Sequence, residues 1–147
     1  MNKNSQFIEK YFNQINNSIS KVDNIKIDKI IDSLKKLRKN KGRLFFLGVG
    51  GSAANASHAV NDFRKLCGIE SYSISDNISE LTARINDEGW NNSYIDILKI
   101  NNLNKNDGIF VFSVGGGSIQ KKISMNIVNA IKFAKKKKNN YLWNSWA

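Results

Sequence analysis

The sequence predicts a single α/β domain built on a parallel sheet, and three observations carry that prediction. The apolar runs Phe45-Phe46-Leu47 and Ile109-Phe110-Val111-Phe112 do not alternate with polar residues, which is how strands covered on both faces read. Each run ends in a glycine turn, Gly48-Val49-Gly50-Gly51-Ser52 after the first and Ser113-Val114-Gly115-Gly116-Gly117-Ser118 after the second. Each turn leads into a helical pattern, so one chain carries the device of strand, turn and helix twice. In an open parallel sheet ligands sit at the carboxyl ends of the strands, so two such turns side by side would form one anion pocket.

The other elements follow in order. Phe7, Ile8, Tyr11, Phe12, Ile15 and Ile19 recur at three- and four-residue steps and mark one stripe of a first helix. Ile27, Ile30, Ile31, Leu34 and Leu37 mark a second, which closes in a basic last turn before Gly42. No strand precedes these helices, so residues 1–40 could dock on the chain's own sheet or pair with another subunit, and a subunit contact is the expectation preferred. At the first turn the glycines allow a sharp reversal and close approach, Ser52 is the expected N-cap, and the amides behind it would make an anion site. No Lys-Ser or Lys-Thr follows and the spacing is not Gly-x-Gly-x-x-Gly, so neither a P-loop nor a dinucleotide fingerprint is present.

A third helix is expected from Ser52 to Cys67, with Ala56, Val60, Phe63 and Cys67 on its buried side and Gly68 as its stop. His58 and Asp62 stand four apart on one face, where they could share a proton, hold a metal or form a surface pair. Residues 72–75 read as a short strand, 79–85 as a helical turn, and Asn86-Asp87-Glu88-Gly89 as a polar loop with Trp90 as its aromatic anchor. Tyr94, Ile95, Leu98 and Ile100 support another helix. After the second turn Ile119, Ile123, Ile127, Ile131 and Ala134 mark the buried stripe of the next one.

At 147 residues the chain makes one domain, and 41% hydrophobic residues argue against disorder. No apolar run approaches the roughly 18 to 20 residues of a membrane span, and the amphipathic N-terminus does not read as a signal peptide, so a cytoplasmic protein without a membrane partner is expected. The single cysteine, Cys67, excludes an internal disulfide and argues against a Cys-based zinc site. A formal charge of +11 invites a nucleic-acid reading. The lysines are dispersed, no nucleic-acid motif accompanies them, and abundant Lys, Asn and Ile without proline fits an AT-rich genome, so no nucleic-acid partner is expected.

Gly50-Gly51-Ser52 opening an Ala-rich helix with His58, then Asn86-Asp87-x-Gly89, then the loop from Ser113 to Ser118, in this order and spacing, resemble the SIS (sugar isomerase) domains, and within them the phosphoheptose isomerases. The resemblance implies a flavodoxin-like α/β/α sandwich with a parallel sheet, a homotetramer, and a phosphosugar substrate. It implies that Ser52, Ser113 and Ser118, with Gly50, Gly51, Gly115 and Gly116, cradle the phosphate, and that Asn86 and Asp87 position sugar hydroxyls. The family's helix glutamate falls on Asp62 and its histidine on His58, the acid–base pair of an enediol isomerisation; in some members the two hold zinc. No cofactor is otherwise required. Three departures stand out: Val49 where many members have Asn, a second loop poorer in hydroxyls, and an Asp one methylene shorter than Glu.

The resemblance runs to about Lys138, giving residues 41–138 to the SIS domain. Residues 139–147 do not read as a core strand, yet one base on, the codons permit Ile-Ile-Ile-Phe-Gly-Ile-Val-Gly-Arg, a buried strand and glycine turn. The expectation is a frameshift in the adenine run near Lys138, leaving a chain without the last strands, the final helix and the second catalytic histidine, with reduced or no activity. The function expected is isomerisation of sedoheptulose 7-phosphate to a heptose 7-phosphate for lipopolysaccharide or capsule precursors. A non-catalytic phosphosugar-binding regulatory module is the alternative.

Overall fold

The computed structural model describes residues 2–137 and 140–145. It divides into two units, residues 1–32 and 33–147, with α2 running across the division. In the first unit, α1 (Lys3–Ile19) begins at Asn2, whose side chain accepts the Ser5 amide at 2.8 Å, and α2 (Asn24–Lys39) begins where Asp23 accepts the amides of Ile25 and Lys26. Phe7, Ile8, Tyr11, Phe12, Ile15 and Ile19 form the expected stripe of α1. Every one of them is exposed, from 36% to 70%.

The second unit is a parallel α/β sandwich. Its strands are β1 (Leu44–Leu47), β2 (Ser71–Ser73), β3 (Gly108–Ser113) and β4 (Asn140–Ser145), in the order β2-β1-β3-β4, all parallel. The order reverses direction between β1 and β3, which makes that junction the topological switch point of the sheet. Its helices are the C-terminal part of α2, then α3 (Gly51–Lys65), α4 (Ile78–Glu88), α5 (Ser93–Ile100) and α6 (Met125–Lys136).

All four residues of β1 are buried, and successive side chains enter different layers. Phe45, Leu47, Ile109 and Val111 join the cluster that takes in Leu81 of α4, Tyr94, Ile97 and Leu98 of α5, and Ile127, Ala130 and Ala134 of α6. Phe46, between them, meets Phe63 of α3 edge-on, with ring centroids 5.1 Å apart, and also meets Phe110 and Phe112. The unbroken apolar run is thus the signature of a strand with helices on both faces.

A carboxylate is buried at the start of the sheet. Asp107, 1% exposed, accepts from the Arg43 amide, Nε and Nη2 at 3.0, 3.1 and 2.7 Å, and from the Asn104 amide and side chain. This hydrogen bonding raises the Arg43 pKa above its ordinary value and ties the entry of β1 to the entry of β3.

Four expectations are corrected. The helix stripe after the second turn does not begin at Ile119: residues 118–123 close on themselves through Ser118–Ile123 backbone bonds of 3.0 and 2.9 Å, leaving Ile119 and Ile123 exposed, and α6 starts only at Met125. Asn86, Asp87 and Glu88 are the last turn of α4 and not a loop; Gly89, with φ +82°, ends it. Cys67 is only partly buried, and its neighbour Leu66 is 74% exposed. Within the segment read as unable to form a core strand, Asn140–Ser145 pairs in parallel with β3 along its whole length; residues 138, 139, 146 and 147 lie outside the described residues. Pairing needs only backbone groups and an open neighbouring strand, which a reading of side-chain pattern does not register.

Removing the Asp107 carboxylate takes the counter-charge from the Arg43 guanidinium, which keeps the Asn102 carbonyl, and removes the acceptor of the Arg43 and Asn104 amides. Asp107→Ala should cost ~3–5 kcal/mol in a urea unfolding series, the range for breaking a buried pair from one side.

Candidate functional site

Both glycine turns lie at the carboxyl ends of adjacent parallel strands, as the expected pocket requires. In the first, Gly48 is fully enclosed: a Cβ there would stand 2.2 Å from the Ser52 carbonyl oxygen and 2.8 Å from the Ala53 amide nitrogen. Only glycine lets the end of β1 pass this close to the first turn of α3. The N-cap of α3 is Gly50, at φ 60° and ψ −126°, and not Ser52, which sits inside the first turn; the Ser52 amide returns to the Val49 carbonyl at 3.2 Å. Ser52 thus keeps a half-exposed hydroxyl at the helix end without using it as a cap.

A second contact holds the turn from the other layer. Tyr94, 1% exposed, donates its hydroxyl to the Gly48 carbonyl at 2.5 Å. Burial pushes its pKa up to about 12, so the phenol stays protonated and the donor is permanent near neutral pH.

The turn after β3 is organised by its own serines. The Ser113 Oγ accepts the Gly116 amide at 3.0 Å, and the Ser118 Oγ accepts the Lys121 amide at 3.2 Å. Gly116 and Gly117 adopt φ +68° and +76°, which other residues resist. Each serine hydroxyl still has its hydrogen to donate, so both can shape the loop and contact an anion. Gly115, between them, is exposed. In the first turn of α6, Asn126 is 0% exposed and its amide group has no hydrogen-bond partner.

Ala54, His58 and Asp62 form one four-residue ridge running down α3 from the turn. His58 Nε2 lies 3.4 Å from Asp62 Oδ2, and their side chains are 78% and 44% exposed. Two donors are half of a tetrahedral zinc set, and the described residues contain no group of three or more His, Cys, Asp or Glu side chains able to hold a metal. The pair alone does not fit a zinc site. Asn86 and Asp87, exposed at the end of α4, bond to each other at 2.8 Å.

Beside the first turn is a cleft of ≈ 330 Å³ bounded by Val49, Ala54, Ser57, Ile78, Trp90 and Tyr94, among others. Ser52, His58, Asp62, Asn86, Asp87, Ser113 and Ser118 do not line it. Ser57 and Tyr94 carry no local mark of a site: a serine on an exposed helix face reads as solvated surface, and a tyrosine on an apolar helix stripe reads as core.

No protein-family model matches the sequence, and neither does any curated protein. Solved structures superpose on nearly the whole chain, phosphoheptose isomerases among them. A phosphoheptose isomerase from Neisseria gonorrhoeae does so with a TM-score of 0.80 and 19% identity, over 96% of this chain and 75% of the other. One from Francisella tularensis gives 0.80 and 16%, over 99% and 75%. The fold is that of the phosphoheptose isomerases. At this identity the likeness is one of fold, so the chemistry must be argued from the residues.

The raised Tyr94 pKa gives a pH signature. A group that holds its proton more tightly when folded contributes stability that is complete below its unfolded pKa, near 10, and is lost as pH rises through about 12. Tyr94→Phe should therefore unfold more easily at pH 7 by ~1–3 kcal/mol, the cost of an unpaired buried carbonyl, with the gap from wild type narrowing above pH 10 in denaturant titrations.

Proposed function

We propose that this chain is a phosphosugar isomerase of the phosphoheptose type. The observation that carries the reading is the pairing of two glycine–serine turns across the switch point of a parallel sheet, with a His–Asp ridge leading away from one of them. The backbone amides of the turns and the hydroxyls of Ser52, Ser113 and Ser118 suit a phosphate, with Gly50, Gly51, Gly115 and Gly116 giving it close access. The isomerases of the same fold support the substrate class.

The chemistry needs one base and one acid. With sedoheptulose 7-phosphate, the Asp62 carboxylate takes a proton from C1 while an acid protonates the C2 carbonyl oxygen, giving the enediol. Loss of the O1 proton and return of a proton to C2 then leave the aldose, a heptose 7-phosphate suited to lipopolysaccharide or capsule precursors. His58, the only histidine of the chain and 3.4 Å from Asp62, is the nearest group able to hand protons to and from oxygen. No step here is routed through a metal.

The exposure of the pair favours a second reading, a non-catalytic module that binds a phosphosugar and regulates a partner, because a solvated carboxylate is a weak base for carbon. One experiment separates the two. If the chain is an isomerase, Asp62→Asn should lower turnover of sedoheptulose 7-phosphate by roughly 10²- to 10⁴-fold, the usual share of general base catalysis, with binding retained. Tight binding by the wild type without any turnover would support the module.

The active form proposed is a homo-oligomer. The apolar stripe of α1 is exposed along its length, including Phe7 and Phe12 at 70% and 59%. Contiguous apolar surface of this kind marks an association face. Sedimentation should show an assembly larger than one chain, and Phe12→Asp should shift it toward monomer while the circular dichroism spectrum is unchanged.

A further inference from the structure

The fold gathers cations that are scattered along the chain. In a parallel sheet each helix that leads into a strand runs back to the amino end of the sheet, and α2, α3, α5 and α6 do so ahead of β1, β2, β3 and β4. Each of these helices carries lysine or arginine in its last turn, among them Arg38, Lys39, Lys65 and Lys136, whereas α4, which does not lead into a strand, has none there. Lys41 and Lys105, both exposed, add charge from the turns that enter β1 and β3. Direct contacts join these turns into one face. The Arg38 guanidinium donates to the Cys67 carbonyl at 3.4 Å, the Arg43 guanidinium donates to the Asn102 carbonyl at 3.3 Å, and Gly42 lies against the Asn106 carbonyl with no room for a side chain. Of the carboxylates here, Asp107 is buried against Arg43 and Asp96 bonds Lys99 at 2.7 Å, while Glu70 is exposed. The same face holds a cleft of ≈ 480 Å³ lined by Lys99, Asn102, Leu103, Phe133 and Lys137. Phe133 is half-buried in its wall, and the Lys137 ammonium lies 5.8 Å from the ring centroid.

We propose that this end of the sheet binds a single-stranded nucleic acid, with its phosphates against the lysines and a base against Phe133 in the cleft. The face lies at the opposite end of the sheet from the two glycine turns, so the inference is independent of the phosphosugar reading. Spread along the sequence, the lysines read as composition. Brought to one face, with two of its carboxylates already engaged, they make a field that attracts a polyanion. A lysine in a last turn also answers the helix dipole, but that does not account for Lys105, which lies in the turn before β3. Two features favour a nucleic acid over an anionic lipid surface. Exposed Asn40, Asn102 and Asn106 stand among the lysines and offer the donors and acceptors that phosphates, sugars and base edges use. An aromatic ring beside an ammonium suits an unpaired base, which stacks on the ring while its phosphate meets the charge. A duplex keeps its bases stacked on one another, so the cleft favours a single strand.

Fluorescence anisotropy of the full chain with a labelled single-stranded oligonucleotide of mixed sequence tests this. The wild type should bind with a Kd of about 10⁻⁶ to 10⁻⁴ M at roughly physiological salt, and log affinity should fall linearly with log salt. Lys39→Glu, Lys41→Glu and Lys105→Glu together should weaken binding by about tenfold or more and flatten the salt slope. Lys3→Glu, Lys10→Glu and Lys21→Glu, an equal change of net charge placed on the first unit, should leave it within about threefold of wild type. Phe133→Leu should weaken the single strand by about fivefold or more while a duplex of the same sequence binds as it does to wild type, a split that general loss of structure would not produce. Equal losses in the two triple variants would reduce the effect to net charge and overturn the proposal. So would full single-strand affinity in Phe133→Leu, tighter binding to phosphatidylserine vesicles or to polyglutamate than to the oligonucleotide, or no binding by the wild type.

Discussion

The approach of Gly48 to the first turn of α3 is the constraint on which the site depends. Without a side chain at 48, the end of β1 reaches within van der Waals distance of the Ser52 carbonyl, and the helix starts immediately after the strand. That brings the amino end of α3, with its partial positive charge, to the edge of the sheet instead of several residues out. Tyr94 locks the same glycine from the opposite layer through its carbonyl. The anion-binding potential of the turn is therefore a property of packing on both sides of β1, not of the loop alone.

The rest of the scaffold holds adjacent strands in a fixed relation, so that the two turns emerge at the same end of the sheet. Arg43 and Asp107 clamp the entries of β1 and β3 at one end of the sheet, and the turns emerge at the other. Between these ends the strands are covered on both faces, with Phe46 packed against Phe63, Phe110 and Phe112 on the α3 side and Phe45, Leu47, Ile109 and Val111 in the cluster on the other. A shift of register between β1 and β3 would expose one of these sets, so the spacing between the turns is set by core packing.

Polar chemistry in this chain is placed on solvated surfaces around a dry frame. His58, Asp62, Asn86 and Asp87 are all surface groups. Acid–base catalysis on carbon gains from exclusion of water, which a solvated helix face does not provide by itself. An assembly that covers such a face would supply that exclusion, which links the proposed oligomer to the proposed activity through solvent.

Much of this was legible along the chain. The double-sided strands, the amphipathic helices and the two glycine turns are local patterns, because burial on both faces, helical periodicity and positive φ each leave a mark on neighbouring residues. The adjacency of His58 and Asp62 follows from helix geometry alone. What the pattern misjudged depended on long-range or backbone terms. Ile119 and Ile123 fit a helix stripe but lie in a loop closed by their own backbone, and Asn140–Ser145 has no strand-like alternation yet completes the edge of β3. The local sequence thus determined the elements and the turns. Only the tertiary structure decided that Tyr94 would hold Gly48, that Asp107 would anchor Arg43, that Ser57 would bond Asp76, and that Ser57 and Trp90 would line one cleft. These contacts join residues far apart in the chain, and their partners are selected by the packing of layers, which no local period encodes.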